Sequence, residues 1–329
     1  MKRHVRNLMI LLLVLTVTCL AALFFGSVQL SPADFWKALT CSGSETNSLI
    51  LWQLRFPRIL AGIFAGIGLS SAGVLLQSVT SNALASPNIL GINSGAGLAV
   101  ILVLAFLPVH SALLPVAAFA GAFAAALIIL GVSSRMTGGK TGILLIGIAV
   151  TTLLNALISF LSLLDEDVLA QYNHFTLGSI KDVHLGELVV PAIIIGISFS
   201  AAMLISSKLA VLSVGDAAAS ALGICVRRLR VAALACAAAS AASVVSFAGL
   251  LGFVGLVVPH IARRMAGERP ARLLPTAALL GAILVVLADL LGRVLFAPTE
   301  LPVGILMSLI GAPYFLILLF RRKNYAGIS

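Results

Sequence analysis

Ten apolar runs, near residues 8–29, 57–77, 89–108, 114–133, 142–164, 188–206, 231–249, 251–262, 273–296 and 303–320, alternate with short polar connections. A helix of about 20 residues at 1.5 Å per residue matches a hydrocarbon core of about 30 Å. The pattern predicts an all-α polytopic membrane protein of about ten transmembrane helices, organised as one membrane domain over residues 1–329. Run 57–77 holds Gly62, Gly66, Gly68 and Gly73. In water each would cost a helix near ~1 kcal/mol; in a bilayer they let neighbouring helices approach closely. The first run follows Lys2, Arg3 and Arg6 without a small-residue cleavage site, so it reads as a retained first helix. Residues 231–262 are too few for two full spans, and basic clusters flank both ends. They are read as two passes with a tight turn near Gly249–Gly255, the second pass short.

Charge supports this reading and orients it. Hydrophobic residues make up 60% of the chain and charged residues 10%, against about 25% charged in soluble domains. The net charge of +10 is not a nucleic-acid footprint, because the basic residues sit in short clusters between apolar runs. With the N-terminus in the cytoplasm, sixteen of the 21 Lys and Arg fall inside, from Lys2, Arg3 and Arg6 through Arg227, Arg228 and Arg230 to Arg321, Arg322 and Lys323. The acidic run Asp165, Glu166 and Asp167 falls outside. This bias places both termini in the cytoplasm. Cys19, Cys41, Cys225 and Cys236 have no ligand spacing, so no disulfide framework, thiol site or metal site is expected. His110, His174 and His184 lack helical ligand spacing, and His260 reads as a residue that caps carbonyls or contacts the adjacent loop. TGGKTG at 137–142 has Ser134 where a phosphate-binding loop requires glycine, and no nucleotide site is expected.

The two halves resemble each other in pieces. LPVAAFAGA (114–122) matches LPTAALLGA (274–282), Gly142-Ile143-Leu144 matches Gly304-Ile305-Leu306, and Arg58 and Pro87 match Arg230 and Pro259 at a common offset. The order is preserved while the directions oppose. This predicts an inverted repeat of helices 2–5 and 7–10, an architecture of transporters.

Three polar features stand out. Asp289 and Arg293 lie four residues apart inside one span, on one helix face, where an ionised carboxylate needs a partner. They read as an intramembrane charge pair, either a device that fixes helix packing or depth, or a charge on the transport path or at the outer mouth. Arg55 and Arg58 sit outside against the positive-inside bias and could receive a partner's carboxylates or anchor in headgroups. The cytoplasmic segment SVGDAAASALGICVRRLR (213–230) is longer than a connector needs. Asp216 is expected to cap a short helix beginning at Ala217, with Gly223 ending it, which makes a lever for a cytoplasmic protein.

These residues belong to longer matching stretches: RFPR (55–58), AGVLLQSVTSNALASPNILGINSGA (72–96), GDAAASALG (215–223), GFVGLVVPHIARRMAG (252–267), ADLLGR (288–293), ELPVG (300–304) and IGAPYF (310–315). Through nearly the whole chain the sequence resembles the FecCD-type permeases of type II ABC importers for iron–siderophore complexes, haem and cobalamin. It departs at Asn82-Ala83-Leu84-Ala85, where family members often carry Asn-Pro-Leu-Ala. The resemblance implies a permease domain over 1–329 with no catalysis and no cofactor of its own. Its implied partners are a second permease subunit (read as a homodimer), two cytoplasmic ABC ATPases that bind ATP and Mg, and an extracytoplasmic binding protein, in a bacterial inner membrane. It further implies an ATPase-coupling region within 213–226: Gly215, Asp216, Ala217, Ala218, Ala219, Ser220, Ala221, Leu222 and Gly223. Binding-protein docking would fall to Arg55, Arg58 and Arg293, and a pathway or gate to Thr176, Leu177, Gly178 and Ser179. The implied cargo is a ferric siderophore or related chelate, with haem or cobalamin as alternatives. A secondary transporter is the reading from another class, disfavoured because Asp289 is the sole acid deep in a span.

Overall fold

The computed structural model describes residues 2–28, 31–40, 45–107, 109–135 and 139–326; Cys41 and the start of the 137–142 run lie outside them. Helix α1 (Lys2–Phe24) ends before an outer segment with two short helices, α2 (Pro32–Leu39) and α3 (Glu45–Leu49). A π-helical turn (Ile50–Arg55) carries α3 into α4 (Phe56–Thr80), and a 3-10 turn (Pro87–Leu90) leads to α5 (Ile92–Phe106). Helices α6 (Leu114–Arg135), α7 (Gly139–Ser162), the short α8 (Glu166–Leu177), α9 (Leu185–Leu212) and the short α10 (Asp216–Ala221) follow. The chain closes with α11 (Val226–Ala248), α12 (Val254–Ala266), α13 (Pro270–Val294) and α14 (Val303–Ala326). No strand occurs among the described residues.

Each of the ten apolar runs is helical, but their lengths divide. Seven described helices are long and apolar enough to cross a membrane, while the apolar parts of α5 and α14 are shorter and α12 has 13 residues. Short helices are tolerated where protein rather than lipid covers the backbone ends. The break between α11 and α12 falls at residues 249–253, with positive φ at Gly249 (66°) and at Phe253 (63°). An added Cβ at Gly249 would sit 2.5 Å from the Phe175 carbonyl oxygen, so glycine is needed there for both conformation and space.

Helix α4 is buried on all sides, whereas α1, α7 and α9 leave most of their surface free. Its neighbours are α13, α11, α12 and α9. Small residues set the approach: at Gly66 a Cβ would lie 2.3 Å from the Gly281 backbone of α13, and at Gly95 of α5 it would lie 2.4 Å from the Gly121 carbonyl of α6. Hydroxyls inside these helices are satisfied locally, as in Ser71 to Ile67 O at 2.7 Å and Thr80 to Leu76 O at 2.7 Å. The packing is reciprocal between the halves. Helix α4 lies on α13 and α11 lies on α6, so the first member of each four-helix set packs on the third member of the other.

Candidate functional site

The buried charged side chains among the described residues, Arg55, Arg58, Asp289 and Arg293, collect at the end that the charge pattern assigns to the outside. Pro57 follows the π-helical turn at the start of α4 and precedes Arg58, whose residue surface is 7% exposed. Arg58 Nε donates to both carboxylate oxygens of Asp289 on α13, at 2.8 and 3.0 Å, and its Nη2 lies 2.8 Å from Oδ1. Arg58 Nη1 donates to Glu300 Oε2 at 2.7 Å, and Glu300 Oε1 accepts from the Ser27 hydroxyl at 2.8 Å. On the other side of Asp289, Arg293 Nε lies 3.1 Å from Oδ2 as an ion pair without hydrogen-bond alignment. The Arg293 Nη groups reach the Ala22 carbonyl at 3.5 Å.

Arg55 does a different job. Its guanidinium donates to the carbonyls of Leu23 (2.5 Å), Phe24 (2.9 Å) and Val28, the unsatisfied acceptors at and just past the end of α1. Gly26 leaves room for it, since a Cβ there would stand 3.1 Å from Arg55 Nη2. The π-helical turn buries Leu51 and Arg55 while Trp52, Gln53 and Leu54 stay outside. The arginines expected to face a partner are therefore engaged within the chain here, at 4%, 7% and 2% exposure for Arg55, Arg58 and Arg293. They line a cavity of about 120 Å³ together with Lys181, Asp182 and Glu300. Three arginines against Asp289 and Glu300 leave one positive charge in excess. Burial pushes the Glu300 carboxyl up, but the Arg58 hydrogen bond and charge, with Ser27 and Lys181, more than offset it and leave it below its ordinary value.

Thr176, Leu177, Gly178 and Ser179 form the end of α8, where three elements meet. Ser179 N donates to Ala248 O at 2.9 Å, and Gly304 N at the start of α14 donates to Gly178 O at 3.0 Å. Gly178 has φ +65°, and a Cβ on Gly304 would fall 2.2 Å from Leu177 O. Backbone contact thus ties α8 to the α11–α12 break and to α14.

At the opposite end, α10 departs from expectation in one respect. Gly215, not Asp216, is the N-cap, and no side chain caps it. Asp216 is the first helical residue, and its two carboxylate oxygens each lie 2.8 Å from Arg230 Nη2 on α11. The charge-assisted pair with Arg230 takes the carboxylate that capping would have used. Gly223 follows the helix with φ +75°, as a terminator should. Ala219 is buried, while Val214 and Leu222 on either side are 77% and 70% exposed.

Two participants escaped the sequence reading. Glu300 lies in the ELPVG stretch, and the available signal was an acid on the same side as three arginines. Gln77 is a polar residue in an apolar run; its Oε1 accepts from Arg263 Nη1 at 2.6 Å, which links α4 to α12.

A multi-pass protein, all-helical among its described residues, with reciprocally packed halves and a charge cluster at one end has the architecture of a membrane transport protein. Residues 12–321 match the FecCD transport family, and the chain belongs to it. It is 38% identical over 322 residues to the Fe(3+)-citrate import system permease protein YfmE of Bacillus subtilis (strain 168), covering 97% of this chain and 96% of the relative. It is 36% identical over 320 residues to the hemin transport system permease protein HmuU of Yersinia pestis, covering 95% of each. Its fold is similar, with TM-score 0.86 and 28% identity over 96% of this chain and 99% of the other, to a metal-chelate type ABC transporter in an inward-facing conformation. The chain is a permease subunit of an ABC importer.

Proposed function

We propose that this chain forms, with a second copy of itself, the pathway by which a ferric siderophore or related iron chelate crosses the inner membrane. Residues 1–329 act as one permease domain, and ATP and Mg are bound by two separate cytoplasmic ATPases. The observation that carries the cargo is the full-length similarity to a Fe(3+)-citrate permease. The similarity to a hemin permease of nearly equal identity favours haem as the second reading.

In this reading residues 215–223 couple to the ATPase. Support comes from the exposed Val214 and Leu222 bracketing α10 and from the Arg230–Asp216 pair that ties α10 to α11. Thr176–Ser179 gate the pathway, because the end of α8 is bonded to both the α11–α12 break and α14. Carboxylates of an extracytoplasmic binding protein dock over the cavity lined by Arg55, Arg58 and Arg293, where positive charge is in excess. Each ligand then biases a different state, which coupling requires. The test is uptake of radio-iron chelate into proteoliposomes holding the permease and its ATPase, with binding protein outside. Uptake is expected only when ATP and all three proteins are present. Uptake without the ATPase, driven by a proton or sodium gradient, refutes the reading.

A further inference from the structure

Both tryptophans of the chain, Trp36 and Trp52, lie in the outer segment between α1 and α4. At 100° per residue, Ala38, Phe35, Leu39 and Trp36 form one continuous apolar arc of α2, and Asp34, Lys37 and Thr40 form the opposite face. Half of the arc is used by the protein. Phe35 and Ala38 are buried with Leu51, and the Phe35 ring stacks on Phe24 at 3.9 Å between centroids. The other half is not, for Trp36 is 63% and Leu39 36% exposed. Trp52 (39%), tied to α2, continues this exposed apolar surface onto the π-helical turn. Trp52 Nε1 donates to Ala38 O at 3.3 Å, so its polar handle is satisfied within the protein and its ring is left to an apolar surrounding.

Position selects the surrounding. Helix α2 is stacked on the last turn of α1 through Phe24, which falls on the same side of α1 as Leu13, Val17 and Leu20, exposed as a lipid-facing span requires. An aromatic-rich helix with a polar face, lying at the end of a span, fits the boundary between headgroups and acyl chains. We infer that α2 lies in the outer leaflet of the bilayer, with the Trp36–Leu39 half of its apolar arc among lipid acyl chains and the Asp34–Lys37 face toward headgroups and water. The occupant of this surface is phospholipid. The anchor holds the π-helical turn at a fixed depth, and with it Arg55 against the end of α1.

The chain reports on this itself, because no tryptophan lies elsewhere. The full-length chain is reconstituted into phospholipid vesicles and its tryptophan emission is read with lipids brominated in the upper acyl chain, and separately with iodide on both sides of the membrane. Loss of most of the emission to bromine, with little loss to iodide, is expected. Trp52→Phe isolates Trp36, and its emission is expected to show the same pattern. Bromine leaving the wild-type emission unchanged while iodide removes it places the segment in water and overturns the proposal. Iodide quenching that disappears only when soluble binding protein is added also overturns it and gives the surface to that protein. The readout needs neither cargo nor ATP, so it stands or falls independently of the transport reading.

Discussion

Replacing Asp289 by Asn removes the one negative charge that two buried guanidiniums share. Asp289 is 2% exposed. The loss is unequal for its partners. Arg58 keeps Glu300 at 2.7 Å, whereas Arg293 is left with a carbonyl at 3.5 Å. At an effective dielectric near 20, unit charges at ~4 Å interact by ~4 kcal/mol, and removing one partner of a buried pair costs about 3–5 kcal/mol. With the lower shift of ~2 °C per kcal/mol for long chains, melting should fall by ~6–10 °C. The assay is thermal denaturation of the purified permease in detergent, followed by the surviving size-exclusion peak. Adding Arg293→Met to Asp289→Asn removes the stranded charge and should recover part of the loss, since an apolar replacement of a whole buried pair is often neutral or better. Asp289→Asn melting within about 1 °C of wild type, or a further fall on adding Arg293→Met, would refute the claim that Asp289 holds Arg293 in a desolvated site.

Two further outcomes follow from named contacts. Asp216→Arg or Arg230→Asp alone should raise ATP hydrolysis per chelate transported, and the double exchange should lower it again by restoring the 2.8 Å pair in reverse; no recovery in the double variant would mean that the pair does not transmit motion. The Glu300 carboxyl is held below its ordinary value, so its contribution to stability is complete above the unfolded glutamate value and is lost as pH falls through the lowered folded one; melting followed across that acid window should fall less in Glu300→Gln than in wild type.

The apolar runs made the helices legible because a span must satisfy its own backbone, and period and length then fix its identity. Even the α11–α12 break could be read, since the basic clusters on both sides of 231–262 demanded an even number of passes. What could not be read was which charges meet. Asp289 and Arg293 share a helix face by spacing alone, but the closest partner of Asp289 is Arg58, 231 residues away. That pairing depends on α4 packing against α13, which is set by Gly66 and Gly281 meeting backbone to backbone. Sequence separation hides such a contact, and the positive-inside rule made Arg58 look free because it counts charges by side of the membrane, not by partner. Asp216 was misassigned as a cap for a similar reason: local hydrogen-bond rules see the next three residues, and Arg230 is fourteen away.

The distribution of polar ties says how motion at the cytoplasmic end can reach the outer end. Helix α4 is tied to α13 and to the α13–α14 connection through Arg58, and to α12 through Gln77 and Arg263. Gly73 lies so close to the Gly255 backbone that an added Cβ would stand 2.0 Å from its carbonyl oxygen. Helices α4, α12 and α13 therefore form one block, pinned by charge at one end and by an amide–guanidinium contact at the other. Helix α10 belongs to a different block, joined to α11 by Arg230. Between the blocks runs the α4–α11 seam, built from Gly68 against Val244 and from the Ser240 hydroxyl donating to Gly68 O at 3.2 Å. A shear of small-residue helices along such a seam breaks no ion pair, whereas displacing α4 from α13 breaks the Arg58–Asp289 pair in a buried site. If α10 couples to the ATPase as proposed, force applied there would be relieved first by sliding of α11. Because Ser179 N donates to Ala248 O at the end of α11, such a slide would be delivered to the end of α8, the segment proposed as the gate.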